Sequence, residues 1–412
     1  MKEKRKMKVK NSERWLRLAL ATVILLFAGI IYSWSVLKLP FATDFGWDSS
    51  ILGLNATLTI VFFCVGGFIS GLITTKTTPR LRLMISAALL FLGFFLTSRL
   101  NHNAKPYMLM IFYGVIAGTG TGFAYNTVIS MTSRWFPDKT GLCSGILLTG
   151  FGLTTLVIGN IADTTMRSAV IGWRTTYLAL AIIIGVLFFA VSFVIKPPPA
   201  GTIFPEPKAK SKKQSNEPPA RDFTAIEMIK RPSFWFLFIF IVSIAFVGTA
   251  AISFVTDILK ETGASDSFAI TAAGIIAIFN GLGRLFNGMM FDILGRRKTQ
   301  YMMSTLLILA PVLILAALLT HSLVLGVIGL FLCFFSYGFA PTTSASFASA
   351  FYGTKNFSLN FSIVNLILIP APFGATLAGI LFNNSGSFVT TFVVMIGCSI
   401  VGLIVNLSLR KP

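Results

Sequence analysis

The chain is a succession of apolar stretches, each near 20 residues long and parted by short polar turns, from Trp15 to Leu409. A run of that length carries a helix across the roughly 30 Å hydrocarbon core of a bilayer. Hydrocarbon offers no partner to backbone N–H and C=O groups, so only helices and closed barrels can span it. Barrel strands alternate apolar and polar residues, whereas these runs are continuous. Of 412 residues, 55% are hydrophobic and 12% charged, against about a quarter charged in soluble domains. A soluble globular class is excluded. The pattern predicts an all-α integral membrane protein with twelve transmembrane helices, near 16–39, 51–75, 81–99, 106–132, 140–164, 172–196, 233–256, 267–291, 299–320, 323–351, 357–382 and 386–409.

The spans fall into two groups of six. The expected organisation is a basic tail over 1–15, a six-helix half over 16–196, a linker over 197–232, a second six-helix half over 233–409 and a short tail over 410–412. The linker's "PPPAGTIFPEPKAKSKKQSNEPPARD" is rich in Pro, Lys and Ser, a flexible composition. "TAIEMIKRPSFW" after it suits a short interfacial helix. The first apolar run is too long and too aromatic for a cleaved signal peptide.

A net charge of +20 raises the question of nucleic acid, but the cations lie in the tails and in alternate loops. With both ends on one side, 27 of the 34 Lys and Arg fall on that side and 6 on the other, with Arg284 left inside a span. That asymmetry predicts cytoplasmic termini; no nucleic-acid partner is expected, and the expected location is a prokaryotic inner membrane. Cys64, Cys143, Cys333 and Cys398 lie in or against spans, so no disulfide framework is expected, and His102 and His321 are too far apart in sequence to suggest a metal centre. No cofactor is expected.

The loops carry an internal repeat. After span 8 stands Gly288-x3-Asp292-x2-Gly295-Arg296-Arg297-Lys298; after span 2, at the matching place, Gly71-x3-Thr75-x2-Thr78-Pro79-Arg80. The first glycine and the last cation match, while the acid and second glycine do not. Two repeated halves with a site between them near the midplane is the design of alternating-access carriers.

"GMMFDILGRRK" (Gly288–Lys298) resembles the loop signature of the major facilitator superfamily. "AGIIYSWSVLKLPFATDFGW" (Ala28–Trp47) and "RWFPDKTGLCSGILLTGFGLTT" (Arg134–Thr155) resemble the span 1 and span 5 signatures of its oxalate:formate antiporter family, the prokaryotic relatives of monocarboxylate transporters. "NGLGR" (Asn280–Arg284) is similar to that family's span 8 motif. The resemblance implies a major facilitator fold, an arginine at 284 that binds a substrate carboxylate, and a cytoplasmic gate locked by Asp292, Arg296 and Arg297. Two positions depart. Leu368 stands near the place of a second buried cation in the oxalate exchanger, which argues against a dicarboxylate. Asn280 stands where animal monocarboxylate transporters carry an aspartate, so the simple proton-switching Asp–Arg pair is missing.

The residues can be weighed without the family. Arg284 is about 12 Å from Asp292, eight residues at 1.5 Å each, too deep for easy snorkelling. No Asp or Glu lies in a span core, and a guanidinium meets a carboxylate through two parallel hydrogen bonds. The competing reading is a structural arginine bonded to carbonyls. Asn280, at i−4, shares its helix face, to position the guanidinium or to act as interhelical glue. Tyr125, Tyr337 and Tyr32 are candidates for cavity walls, against packing or an aromatic belt. Asn365, ahead of Pro370 and Pro372, marks a bent helix, gating or static. The glycines of "YGVIAGTGTGFAYNT" are read as close-packing positions, not a nucleotide loop.

The expected function is a monomeric secondary carrier of a small carboxylate, of the lactate, pyruvate or formate class, with a co-transported proton or a counter-anion. The rivals are a dicarboxylate:monocarboxylate exchanger, a drug exporter suggested by the 40 phenylalanines, and a transporter-like sensor. With no nucleophile–base set, metal cluster or phosphate loop, an enzyme is not expected.

Overall fold

The computed structural model describes residues 7–8, 11–199, 202–205 and 221–412. Twelve helices are long and apolar enough to cross a membrane: α1 Asn11–Thr43, α2 Ser49–Thr75, α3 Pro79–Ser98, α4 Pro106–Ser133, α5 Thr140–Arg167, α6 Gly172–Ser192, α7 Pro232–Ser253, α8 Asp266–Leu294, α9 Arg296–Thr320, α10 Leu323–Tyr352, α11 Phe357–Ser385 and α12 Val389–Ser408. This is an all-helical multi-pass membrane protein; the only pairing between strands among the described residues joins Met7–Lys8 to Thr202–Ile203. Residues 200–201 and 206–220 of the 197–232 linker lie outside the described residues. The expected interfacial helix is present as Ala225–Ile229, opened by a capping box between Thr224 and Glu227.

The helix ends obey local chemistry. Asp48 accepts from the amides of Ser50 and Ile51, both at 2.9 Å, to cap α2. Thr78 caps α3, with Pro79 in the first turn. Gly295 at φ 75° makes the corner between α8 and α9, a conformation that only glycine adopts without strain.

Several spans are interrupted. α1 tightens to a 3-10 turn over Gly29–Ser33, and α4 and α5 widen to π-helix over Met110–Ala117 and Thr155–Gly159. α10 breaks at Gly338. α11 runs as helix over Phe357–Val364, a 3-10 turn over Asn365–Leu368, then helix again over Phe373–Ser385. Pro370 and Pro372 occupy that break, where the chain needs no amide donors.

Two compact units result. Unit 1 is built on α1–α4, α5 from Ile146, α6 and the segment Phe357–Ile363; unit 2 on Thr140–Gly145, α7–α10, α11 from Val364 and α12. Each unit therefore takes a first turn or two from a helix that otherwise belongs to the other.

In unit 1, α2 and α4 pack backbone to backbone. A Cβ on Gly66 would lie 2.2 Å from the Thr119 carbonyl oxygen, and one on Gly122 2.1 Å from that of Phe63. The span 4 glycines thus serve close approach. Arg14 is not in a solvated tail: it lies in the first turn of α1, 2% exposed, ion-paired with Asp138 and donating to the Trp135 carbonyl at 2.8 Å. Trp34 is core as well, donating to the Leu52 carbonyl at 3.0 Å.

Candidate functional site

In unit 2, α8 carries Asn280, Arg284 and Asn287 along one face, and glycines set its distance from α10. A Cβ on Gly283 would meet the Phe335 carbonyl oxygen at 2.0 Å, and one on Gly338 would meet that of Asn280 at 2.3 Å. The break in α10 at Gly338 is thus pressed against the turn that holds Arg284. Thr342 Oγ1 donates to the Arg284 carbonyl at 3.2 Å and Asn287 Nδ2 to Thr343 Oγ1 at 3.0 Å, tying the two helices on either side of the arginine.

The Arg284 side chain is 8% exposed. Its Nε donates to Asn280 Oδ1 at 3.4 Å, a long bond that orients the guanidinium along the helix. Tyr337 directly precedes Gly338, where an added Cβ would lie 3.0 Å from the Arg284 backbone nitrogen. Its ring is backed by α7, where a Cβ on Gly248 would come within 2.4 Å of it. Asn280, Arg284 and Tyr337 therefore form one cluster on α8 and α10. Asn365 is also in unit 2, buried at the start of the 3-10 turn of α11.

Tyr125 and Tyr32 lie in unit 1. Phe151 joins them, with ring centroids 4.9 Å from Tyr125 and 5.4 Å from Tyr32. Tyr125 is buried and stacks on Phe361, while Tyr32 is 40% exposed.

The three gate candidates are differently engaged. The Asp292 carboxylate accepts from the Gly141 amide at 2.9 Å through Oδ1 and from the Leu142 amide at 2.7 Å through Oδ2. These are first-turn amides of α5, a partial positive charge that favours an anion. Gly141 and Gly288 make this possible: a Cβ on either would strike the other's carbonyl oxygen at 2.2 or 2.1 Å. Arg296 sits over the Phe351 ring, 5.0 Å from its centroid. Arg297 is exposed and forms no ion pair among the described residues.

Charge counting missed one residue. Arg82 reads as a loop cation, yet it lies in the first turn of α3 with 0% exposure. Its Nη1 donates to Thr74 Oγ1 at 2.8 Å, the Ser70 carbonyl at 3.3 Å and Ser358 Oγ at 3.5 Å. The weak signal available was Ser70, Thr74, Asn126, Thr127 and Ser358, polar residues scattered across three apolar spans.

Residues 18–369 match the family model of the Major Facilitator Superfamily. The chain is 25% identical over 378 residues to the oxalate:formate antiporter of Oxalobacter formigenes, covering 90% of this chain and 86% of that one. It is 24% identical over 365 residues to monocarboxylate transporter 2 of Meriones unguiculatus, covering 84% and 72%. Among solved structures, the proton:xylose symporter XylE superposes with a TM-score of 0.71 over 98% of this chain and 97% of the symporter, at 14% identity.

Proposed function

The chain belongs to the Major Facilitator Superfamily, and on that premise we propose that it is a secondary carrier of small organic anions, with monocarboxylates of the lactate, pyruvate or formate class as substrates. The observation that carries the reading is Arg284: a guanidinium on a membrane-spanning helix, buried, flanked by an amide and a tyrosine. A carboxylate that binds there forms two charge-assisted hydrogen bonds and neutralises the cation. Neutralisation lowers the cost of closing the protein around it, and alternating access then delivers the substrate to the far side. Asn280 positions the guanidinium and Tyr337 walls the site. Tyr125 and Tyr32 in unit 1 and Asn365 in unit 2 are the further residues whose replacement should alter substrate selectivity. The similarity to the oxalate:formate antiporter and to a monocarboxylate transporter supports the substrate class.

One cation balances one carboxylate, so the proton enters on the substrate or an anion leaves in exchange. Asp292 on the α5 amides, with Arg296 and Arg297 in the turn after it in sequence, is read as the cytoplasmic lock, in an inner-membrane protein with both termini cytoplasmic. A second reading, oxalate exchange, is favoured by the antiporter relative and opposed by Leu368, where a second cation would be needed.

Uptake of labelled lactate and formate into proteoliposomes tests both. Wild type should transport, and Arg284→Ala and Arg284→Lys should lose at least the worth of a charged hydrogen bond, about 1.5–3 kcal/mol or roughly 10- to 100-fold in apparent affinity. Undiminished uptake by both variants removes Arg284 from the site. Oxalate uptake with lactate and formate ignored replaces the monocarboxylate reading with the exchanger.

A further inference from the structure

The two copies of the loop repeat solve one electrostatic problem differently. In unit 2, Asp292 places its carboxylate on the first amides of α5. In unit 1 the matching position is Thr75, which supplies no charge. The helix start in question there is that of α11, whose residues Phe357–Ile363 belong to unit 1. Span 2 approaches it closely: a Cβ on Gly71 would lie 2.9 Å from the Ser358 carbonyl oxygen. Instead of an acid, this place receives a cation, Arg82.

Arg82 spends only one of its three nitrogens. Nη1 makes all its contacts, to Thr74, Ser70 and Ser358. Nε and Nη2 are buried and have no hydrogen-bond partner among the described residues. Those two atoms form the guanidinium edge that presents two parallel N–H donors. A second cation adds to the charge: Arg134, at the end of α4, is near enough to act on Arg82 electrostatically.

The described acids of unit 1 are all committed elsewhere. Asp138 pairs with Arg14, Glu13 with Arg17 and Asp163 with Arg167. Asp44 accepts from the Trp173 indole and Asp48 caps α2. A fully buried cation with a two-donor edge that no described acid of unit 1 occupies is costly to leave so, and a planar oxyanion is the shape that edge accepts.

We propose that Arg82 is an anion site for a small planar oxyanion, a monocarboxylate such as formate or an inorganic oxyanion such as nitrate or bicarbonate, held on the Nε–Nη2 edge. Its neighbours are built for it. Asn126 donates to the Ser358 carbonyl at 2.7 Å and accepts from Ser358 Oγ at 2.5 Å, fixing the α11 end. Thr74 Oγ1 bonds Ser358 Oγ at 2.9 Å and fixes the α2 end. A bound anion supplies to the start of α11 the charge that Asp292 supplies to the start of α5.

The inference does not depend on Arg284 being a transport site, and thermal unfolding of the purified full chain tests it separately. At constant ionic strength, formate and nitrate should each raise the wild-type midpoint in proportion to the logarithm of their concentration, as ligands of the native state do, and chloride should do so less. Arg82→Lys keeps the charge without the two-donor edge and should raise the half-saturating formate concentration about tenfold, the worth of one charge-assisted bond. Both Arg82 variants are read in an Arg284→Ala background, which removes the carrier site proposed above: there the response should persist, and Arg82→Gln should abolish it. A wild type indifferent to formate and nitrate, a response unchanged in Arg82→Lys, chloride equal to formate, or a response lost in Arg284→Ala alone each overturns the proposal.

Discussion

At the scale of single residues, the proposed carrier site turns on the balance between Arg284 and its neighbour one turn earlier. Asn280 offers a carbonyl oxygen at 3.4 Å, enough to orient the guanidinium and too weak to neutralise it. Asn280→Asp would place a carboxylate at that distance. Under the carrier reading, apparent formate affinity should then fall about tenfold or more at neutral pH, since the new acid competes with the substrate. Uptake of labelled formate by the variant and the wild type at pH 7 checks this. The same scale shows where sequence reading fails. Arg284 declares itself because a cation inside an apolar run has no ordinary explanation. Arg82 does not, because three residues past a polar turn it looks like any flanking cation, and only the approach of Ser70, Thr74 and Ser358 buries it.

At the scale of helices, the positions that matter are backbone contacts with no room for a methyl group. Gly288→Ala would push a Cβ to 2.1 Å from the Gly141 carbonyl oxygen. Backbone cannot yield as a flexible side chain does, and overpacking of this kind costs about 1–3 kcal/mol. The variant should unfold at a lower temperature, and under the gate reading it should also lose transport; Gly274→Ala, where a Cβ meets nothing within 4 Å, is the control that should do neither. At the other end of the linker, the carboxyl of Glu227 is lowered from its usual range, first by its hydrogen bond to the Thr224 backbone. A depressed carboxyl stabilises above its unfolded pKa and loses that contribution as pH falls through its folded value. Thr224→Ala should remove part of that acid-side loss, seen as a flatter midpoint against pH below about 4.5. The span boundaries were readable within a few residues because hydrocarbon thickness fixes run length. The 3-10 and π interruptions of α1, α4 and α5 were not, because an apolar run gives the same hydropathy whichever way its backbone is wound. The break in α11 was, since Pro370 and Pro372 cannot continue a helix.

At the scale of the molecule, the sidedness of the cations makes a claim that labelling can check. In a variant with Cys64, Cys143, Cys333 and Cys398 replaced, a cysteine at Asn101 should react with an impermeant thiol reagent added to intact cells, and one at Arg297 should react only after lysis. The reverse pattern would invert the orientation drawn from 27 cations against 6. The two-halves reading of the sequence is cruder than the two compact units. Hydropathy divides the chain at its hydrophilic middle, whereas packing hands Thr140–Gly145 to one unit and Phe357–Ile363 to the other. No pattern in a single sequence marks such an exchange, since it depends on which backbone meets which. One of these exchanged segments has a further property. The residue that precedes the first turn of α5, Lys139, gives its helix no side-chain cap; the cap comes from Asp292, some 150 residues along the chain. Span 5 therefore borrows its N-terminus from span 8. When that loan is withdrawn, two amides are left bare to solvent or lipid, and the turn they begin loses its anchor. Deuterium uptake at Gly141 and Leu142 therefore reports whether the Asp292 carboxylate is in place.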